Sequence, residues 1–156
     1  MLNQSQQALQ RWKGFDQAID RWLEERHQLI LLLSDFAARR DFAADSPQLS
    51  RRLGAFKALL IDYVSAGHFE FYQRLLEEGR EFEDEQALVL GGKLLRSIES
   101  STRMALAFDE KYDSGGDRSD LEEDLSELAE ALAARFGAED QMISVLHDVH
   151  MAGKSA

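Results

Sequence analysis

Four stretches of the chain repeat apolar residues at alternating steps of three and four. At about 100° per residue, that spacing puts them on one face of an α-helix. The first stripe is Ile19, Trp22, Leu23, Arg26, Leu29, Ile30 and Leu33. The second is Leu49, Leu53, Phe56, Leu60, Tyr63, Val64, Gly67, Phe71 and Leu75. The third is sparser: Leu88, Leu95, Ile98, Thr102, Ala105 and Tyr112, with Gly91-Gly92 predicting a kink or a close helix contact. The fourth is Leu121, Leu125, Leu128, Leu132, Glu139, Met142, Ile143 and Leu146. No alternating run of β-branched residues is long enough for a strand, and the chain holds no internal repeat or low-complexity segment.

Local chemistry places the ends of these stretches. Ser46-Pro47 reads as an N-cap followed by proline at the first helical position, where the missing N–H costs nothing. Glu78-Gly79-Arg80 is a soft break, and Tyr112-Asp113-Ser114-Gly115-Gly116-Asp117 reads as a turn. Ser119 and Glu122 then stand at capping-box spacing. The helices predicted are therefore roughly 15–42, 47–78, 84–112 and 119–150, and 3–12 is long enough for a short N-terminal helix. Four amphipathic helices joined by short turns can bury their stripes only against one another. The expected fold is all-α, a single-domain up-down four-helix bundle over residues 1–156.

Composition narrows the function. With no cysteine in 156 residues, disulfides, thiolate metal sites and cysteine nucleophiles are excluded. Asp and Glu number 29 against 18 Lys and Arg, a formal net charge of −11. Such a surface repels a phosphate backbone and attracts basic partners, so direct nucleic-acid binding is not expected. The apolar run Leu29–Leu33 is far too short to span a bilayer. The first residues lack a basic region followed by an apolar core, and the expected location is cytoplasmic. There is no Gly-x-Ser-x-Gly and no phosphate-cradling glycine loop, so no enzyme, catalytic residue or cofactor is expected.

Two kinds of residue break the pattern. Arg26 and Glu139 interrupt apolar stripes, and a lone buried charge is very costly. They are expected to pair as structural interior groups, with Arg135 or Glu70 as further partners. A metal site in the bundle is the alternative: Glu24…His27 has Glu-x-x-His spacing, and His68…Glu70 and His147…His150 offer donors. None completes a set, and Arg135 stands where a haemerythrin-like ligand histidine is needed, so no metal residue is assigned. The second kind lies on the outer face of the second helix, where Asp62, Ser65, Phe69, Gln73 and Leu76 project away from the stripe. Phe69 and Leu76 are therefore expected to be exposed, an aromatic and an aliphatic beside an acid and a hydroxyl. The runs Glu77, Glu78, Glu81, Glu83, Asp84, Glu85 and Asp120, Glu122, Glu123, Asp124, Glu127, Glu130 are expected to be acidic surface.

Several segments carry a family likeness: Met1-Leu2-Asn3-Gln4, Ile19-Asp20-Arg21-Trp22-Leu23-Glu24-Glu25-Arg26, Leu60-Ile61-Asp62-Tyr63-Val64-Ser65-Ala66-Gly67-His68-Phe69-Glu70-Phe71-Tyr72, Tyr112-Asp113-Ser114 and Glu130-Ala131-Leu132-Ala133-Ala134-Arg135-Phe136-Gly137-Ala138-Glu139-Asp140. The chain resembles the Rsd/AlgQ family over the first 140 or so residues, with poor matches at 38–58 and 78–108. That resemblance implies an anti-sigma factor, an all-helical protein that binds region 4 of the housekeeping sigma factor of RNA polymerase. Region 4 is a basic helix-turn-helix module that reads the −35 promoter element and docks on the polymerase β-flap. Binding it sequesters sigma, in favour of alternative sigma factors in stationary phase. The family's contact ridge falls here on Asp62, Ser65 and Phe69. Gln73, Leu76, Asp20 and Arg21 are further candidate contacts, Trp22 is expected in the core, and His68 is read as structural. Two other classes stay open on the residues: a metal-binding, haemerythrin-like bundle, and an adaptor for another basic protein. A second protein partner is compatible with all three.

Overall fold

The computed structural model describes residues 12–38, 47–113 and 118–155. The expected helix at 3–12, the Ser46 cap, the Gly115-Gly116 turn and the end of the first helix beyond residue 38 lie outside them, apart from Trp12. The described elements are α1 (Phe15–Ala38), α2 (Pro47–Ala66), a π-helical turn (Gly67–Phe71), α3 (Tyr72–Glu81), α4 (Glu85–Lys111), α5 (Leu121–Ile143), a second π-helical turn (Ser144–Asp148) and α6 (Val149–Ser155). Each π turn runs on into the helices beside it, so α2–α3 and α5–α6 are single rods and the molecule is an all-α bundle of four.

Contacts fix the topology. Asp35 meets Arg52 and Trp22 stacks on Tyr63, so α1 and α2 are antiparallel. The Lys57 ammonium donates to the Tyr112 carbonyl, whereas Leu76 faces Gly91, which sets α2–α3 antiparallel to α4. Lys111 pairs with Asp124 and Arg135 reaches Ser101, which does the same for α4 and α5. Up-down order follows, as short connections between long amphipathic helices require.

The core is apolar at its ends and aromatic in the middle. Leu53, Phe56, Leu60, Leu75, Ile98, Leu121, Leu128, Leu132, Met142 and Leu146 are all buried. Trp22 lies flat between Phe71 (centroids 4.4 Å apart) and Tyr63 (5.2 Å), and Phe15 extends the stack from Phe71. Trp22 is thus in the core, as expected. Gly79 and Gly91 make room for Leu146: a Cβ would stand 2.6 Å and 3.0 Å from its methyl groups. The Gly91-Gly92 pair therefore marks a close helix contact. Gly79 is no break either; the chain turns at Phe82–Asp84, where Glu83 takes a left-handed φ of 55° and Asp84 caps α4 through the Ala87 N–H at 3.1 Å. The helix expected after Ser119 starts at Leu121, with Asp120 in the cap position.

The first π turn explains the largest departure from the sequence reading. The Tyr72 N–H bonds to the Gly67 carbonyl, five residues back, so one extra residue enters the turn and every later side chain is rotated. Leu76, expected outside, is 9% exposed against Gly91, and Glu78, expected on the acidic surface, is fully buried. Gln73 stays exposed. Inside the second π turn, His147 lies between two carboxylates. Its Nδ1 is 2.7 Å from Glu78 Oε2 and its Nε2 bonds to Asp16. Both ring nitrogens face acceptors, so the ring is an imidazolium. Burial opposes that charge, but Glu78 and then Asp16 outweigh it and raise His147 to about 9. Stability from this group is complete below its ordinary 6.5 and is lost as pH rises towards 9. The urea midpoint is expected to fall between those values, and His147→Ala should remove that part of the slope. A wild-type midpoint that is flat across the window contradicts the ion triad.

Candidate partner-binding surface

The middle of α2 faces two ways. Its inner side sends Tyr63 to the core; its outer side carries Asp62, exposed, and Ser65, half-buried. Beyond them, the π turn lets His68 and Phe69 stay outside while Phe71 and Tyr72, next but one, enter the core. Phe69 is 88% exposed, the most exposed of the large apolar side chains, as the sequence reading expected. Gly67 is what allows this. A Cβ there would stand 2.8 Å from Tyr72 Oη and 3.3 Å from Arg135 Nη2, displacing both from their hydrogen bonds.

Phe69 stands at the rim of an open groove of about 450 Å³ lined by Val64, Ser65, His68, Phe69, Gln73, Thr102 and Leu106. Thr102 and Leu106 come from α4, so the surface is built by two helices. Leu106 is 52% exposed and was missed by the sequence reading; its signal was an apolar residue one step off the third stripe. Charge surrounds the groove unevenly. Glu25 of α1 is half-buried, and its carboxyl is raised by burial and then by the charges of Asp62 and Glu70. Like charges held this close favour a cation between them. Asp20 belongs elsewhere: its charge, like that of Asp16, acts on Asp148 at the end of the second π turn. Arg21 is exposed on α1, and no hydrogen bond or ion pair ties it to the ridge.

Behind the groove lies a buried polar network. Tyr63 and Tyr72 donate to the two oxygens of Glu139, Tyr72 at 2.6 Å. Arg135 reaches Glu139 at 3.3 Å, the Tyr72 hydroxyl at 2.7 Å, Ser101 at 3.1 Å and Thr102 at 2.8 Å. Burial pushes the Glu139 carboxyl up against the pull of Arg135 and both phenols. The interior partner of Glu139 is thus Arg135, on the same helix. Arg26 is only partly buried, with its guanidinium 2.8 Å from Asp140 and 3.9 Å from Glu139, and Glu70 is exposed and takes no part. An arginine stem lies along apolar surface at little cost when its guanidinium reaches the rim, as that of Arg26 does.

The histidines offered as metal donors are dispersed. His27 is exposed, His68 bonds Thr102, His147 lies between Glu78 and Asp16, and His150 meets Asp84 at 2.9 Å. Among the described residues, no three His, Asp or Glu side chains gather in a way that could hold a metal ion. Nor is any described helix long and apolar enough to cross a membrane.

Comparison with known proteins matches this arrangement to a family. Residues 1–147 match the family described as regulator of RNA polymerase sigma(70) subunit, Rsd/AlgQ. The chain is 30% identical over 156 residues to a protein named regulator of sigma D from Salmonella paratyphi A (strain ATCC 9150 / SARB42), covering 95% of this chain and 93% of that one. Proteins of the same name from Enterobacter sp. (strain 638) and Yersinia pseudotuberculosis serotype O:3 (strain YPIII) are also 30% identical, over 153 and 148 residues. They cover 95% and 92% of this chain, and 91% and 87% of their own lengths. No solved structure matches the chain. An all-helical bundle with a match along nearly its whole length leaves one assignment: the chain belongs to the Rsd/AlgQ family.

Proposed function

We propose that this protein is an anti-sigma factor whose α2–α4 surface holds region 4 of the housekeeping sigma factor, keeping it from the polymerase β-flap and the −35 element. The reading rests most on one observation, Phe69 at 88% exposure beside a groove and a cluster of carboxylates. A single exposed apolar residue is ordinary, but an aromatic at the rim of a groove and beside carboxylates has the make-up of an interface anchor. The carboxylates of Glu25, Asp62 and Glu70 suit the basic surface of a helix-turn-helix module and steer its approach. Phe69 is the apolar anchor, Asp62 takes an Arg or Lys head, and Ser65 is small enough to allow close approach. Gln73 borders the same groove, and Leu106 extends the apolar floor. The protein regulates transcription by sequestering sigma in the cytoplasm, without enzymatic chemistry and without touching DNA.

Asp62→Lys tests the charge part of this reading. Affinity for isolated region 4 is expected to fall at low salt and to depend less on salt than that of the wild type, because one attraction has become a repulsion. Titration calorimetry across a salt series measures both. Unchanged affinity at low salt contradicts a charged contact at residue 62.

A further inference from the structure

The groove contains an imidazole held by a single hydrogen bond to a hydroxyl. Arg135 Nη1, which can only donate, bonds Thr102 Oγ1 at 2.8 Å. The hydroxyl has one proton to give. Its candidates are His68 Nε2 at 3.0 Å and the Ile98 carbonyl at 3.5 Å, of which the imidazole is the nearer. With the hydroxyl donating to the ring, Nε2 is the acceptor, the ring is neutral and its proton sits on Nδ1; with the hydroxyl donating to Ile98, the ring proton sits on Nε2 instead. Nδ1 has no hydrogen-bond partner among the described residues. The ring stands edge-on to Tyr72 at 5.4 Å and lines the groove next to Phe69.

We infer that His68 presents its Nδ1–H to the bound partner, donating to a carbonyl or carboxylate oxygen beside the site that receives Phe69. The inference rests on the proposed function, since it assumes that the groove is where region 4 docks. It adds a polar specificity element to an apolar anchor: a module that fills the groove without offering an oxygen there leaves a donor unpaired. It also makes the contact sensitive to acid. The charged and titratable groups that act on His68 are Arg135 of α5, Glu99 of α4 and the Tyr72 phenol of its own rod. Burial and then Arg135 hold its pKa below the ordinary value, with Glu99 opposing. Protonation would make Nε2 a donor, turn the Thr102 proton towards Ile98, and place a cation near Arg135 and against a basic partner. Binding should therefore weaken in acid.

The test compares wild type, His68→Leu, His68→Asn and Phe69→Ala in titrations with isolated sigma region 4 at about pH 7.5 and about pH 5.5, either side of the histidine range. His68→Leu should bind about three- to tenfold more weakly at the higher pH, the worth of one hydrogen bond, and should lose the wild-type weakening on acidification. His68→Asn keeps a donor at the δ position and cannot titrate, so it should bind like wild type at the higher pH and show no acid loss. ¹⁵N spectra of the free wild-type imidazole should place the proton on Nδ1, whatever the variants do. A proton on Nε2, or a His68→Leu protein with wild-type affinity and pH profile while Phe69→Ala fails to bind, overturns the inference. If Phe69→Ala also binds like wild type, the groove itself is wrong and the inference falls with it.

Discussion

Replacing Phe69 with alanine is expected to abolish measurable binding of sigma region 4 and to leave the fold untouched. At 88% exposure the ring contributes almost nothing to the free protein, so its loss creates no cavity. In the proposed complex the same ring is the anchor that fills a pocket, and truncating a central aromatic costs at least about 2 kcal/mol, roughly thirtyfold in affinity. The two measurements are titration calorimetry for binding and circular dichroism with a thermal melt for the fold. Normal binding removes Phe69 from the interface. A large fall in melting temperature shows that it has a structural role the exposure denies.

Arg135→Met carries the largest expected cost to stability. It leaves the Glu139 carboxylate buried with its main counter-charge gone, and it takes a donor away from Ser101, Thr102 and the Tyr72 hydroxyl as well. Arg135 and Glu139 side chains are both fully buried, so water cannot step in. Breaking such a pair from one side costs about 3–5 kcal/mol. The double variant Arg135→Met/Glu139→Gln removes both charges and keeps an acceptor for a tyrosine hydroxyl, so it should recover much of that loss. Urea denaturation of the four proteins forms the cycle. Additive costs would mean that the two residues do not form one unit. The matching change at Arg26 should be milder, because its guanidinium already reaches the rim and Asp140.

What the sequence carried, and what it hid, follows from one assumption. Counting at a constant 100° per residue located the stripes Leu49–Leu53–Phe56–Leu60 and Leu121–Leu125–Leu128–Leu132, and it turned Asp62, Ser65 and Phe69 outward, because the residues of α2 precede or enter the first π turn and those of α5 precede the second. Beyond it the same count still puts Phe71 and Leu75 inside and Gln73 outside, as the structure has them, but it fails at the edge of the face. Leu76 went to the wrong side and Glu78 was taken for surface for that reason. No composition rule announces a π turn. Its nearest signal is the pair Phe71-Tyr72, followed by Leu75-Leu76, bulky doublets that widen the apolar face of the rod. Arg135 was legible in principle: it stands three residues after Leu132 and four before Glu139, on the stripe itself. The α4 wall of the groove was not, since Thr102 and Leu106 acquire meaning only when packed beside Ser65 and His68.

The central claim is that region 4 sits on the α2–α4 surface around Phe69. Titrating ¹⁵N-labelled protein with unlabelled region 4, and mapping the amide shifts, tests it most directly. The account predicts that the largest changes fall at Asp62, Ser65, His68, Phe69, Gln73, Thr102 and Leu106, with α6 and the outer face of α5 silent. Saturable shifts concentrated on α5 and α6, with Phe69 and its neighbours unmoved, would contradict it.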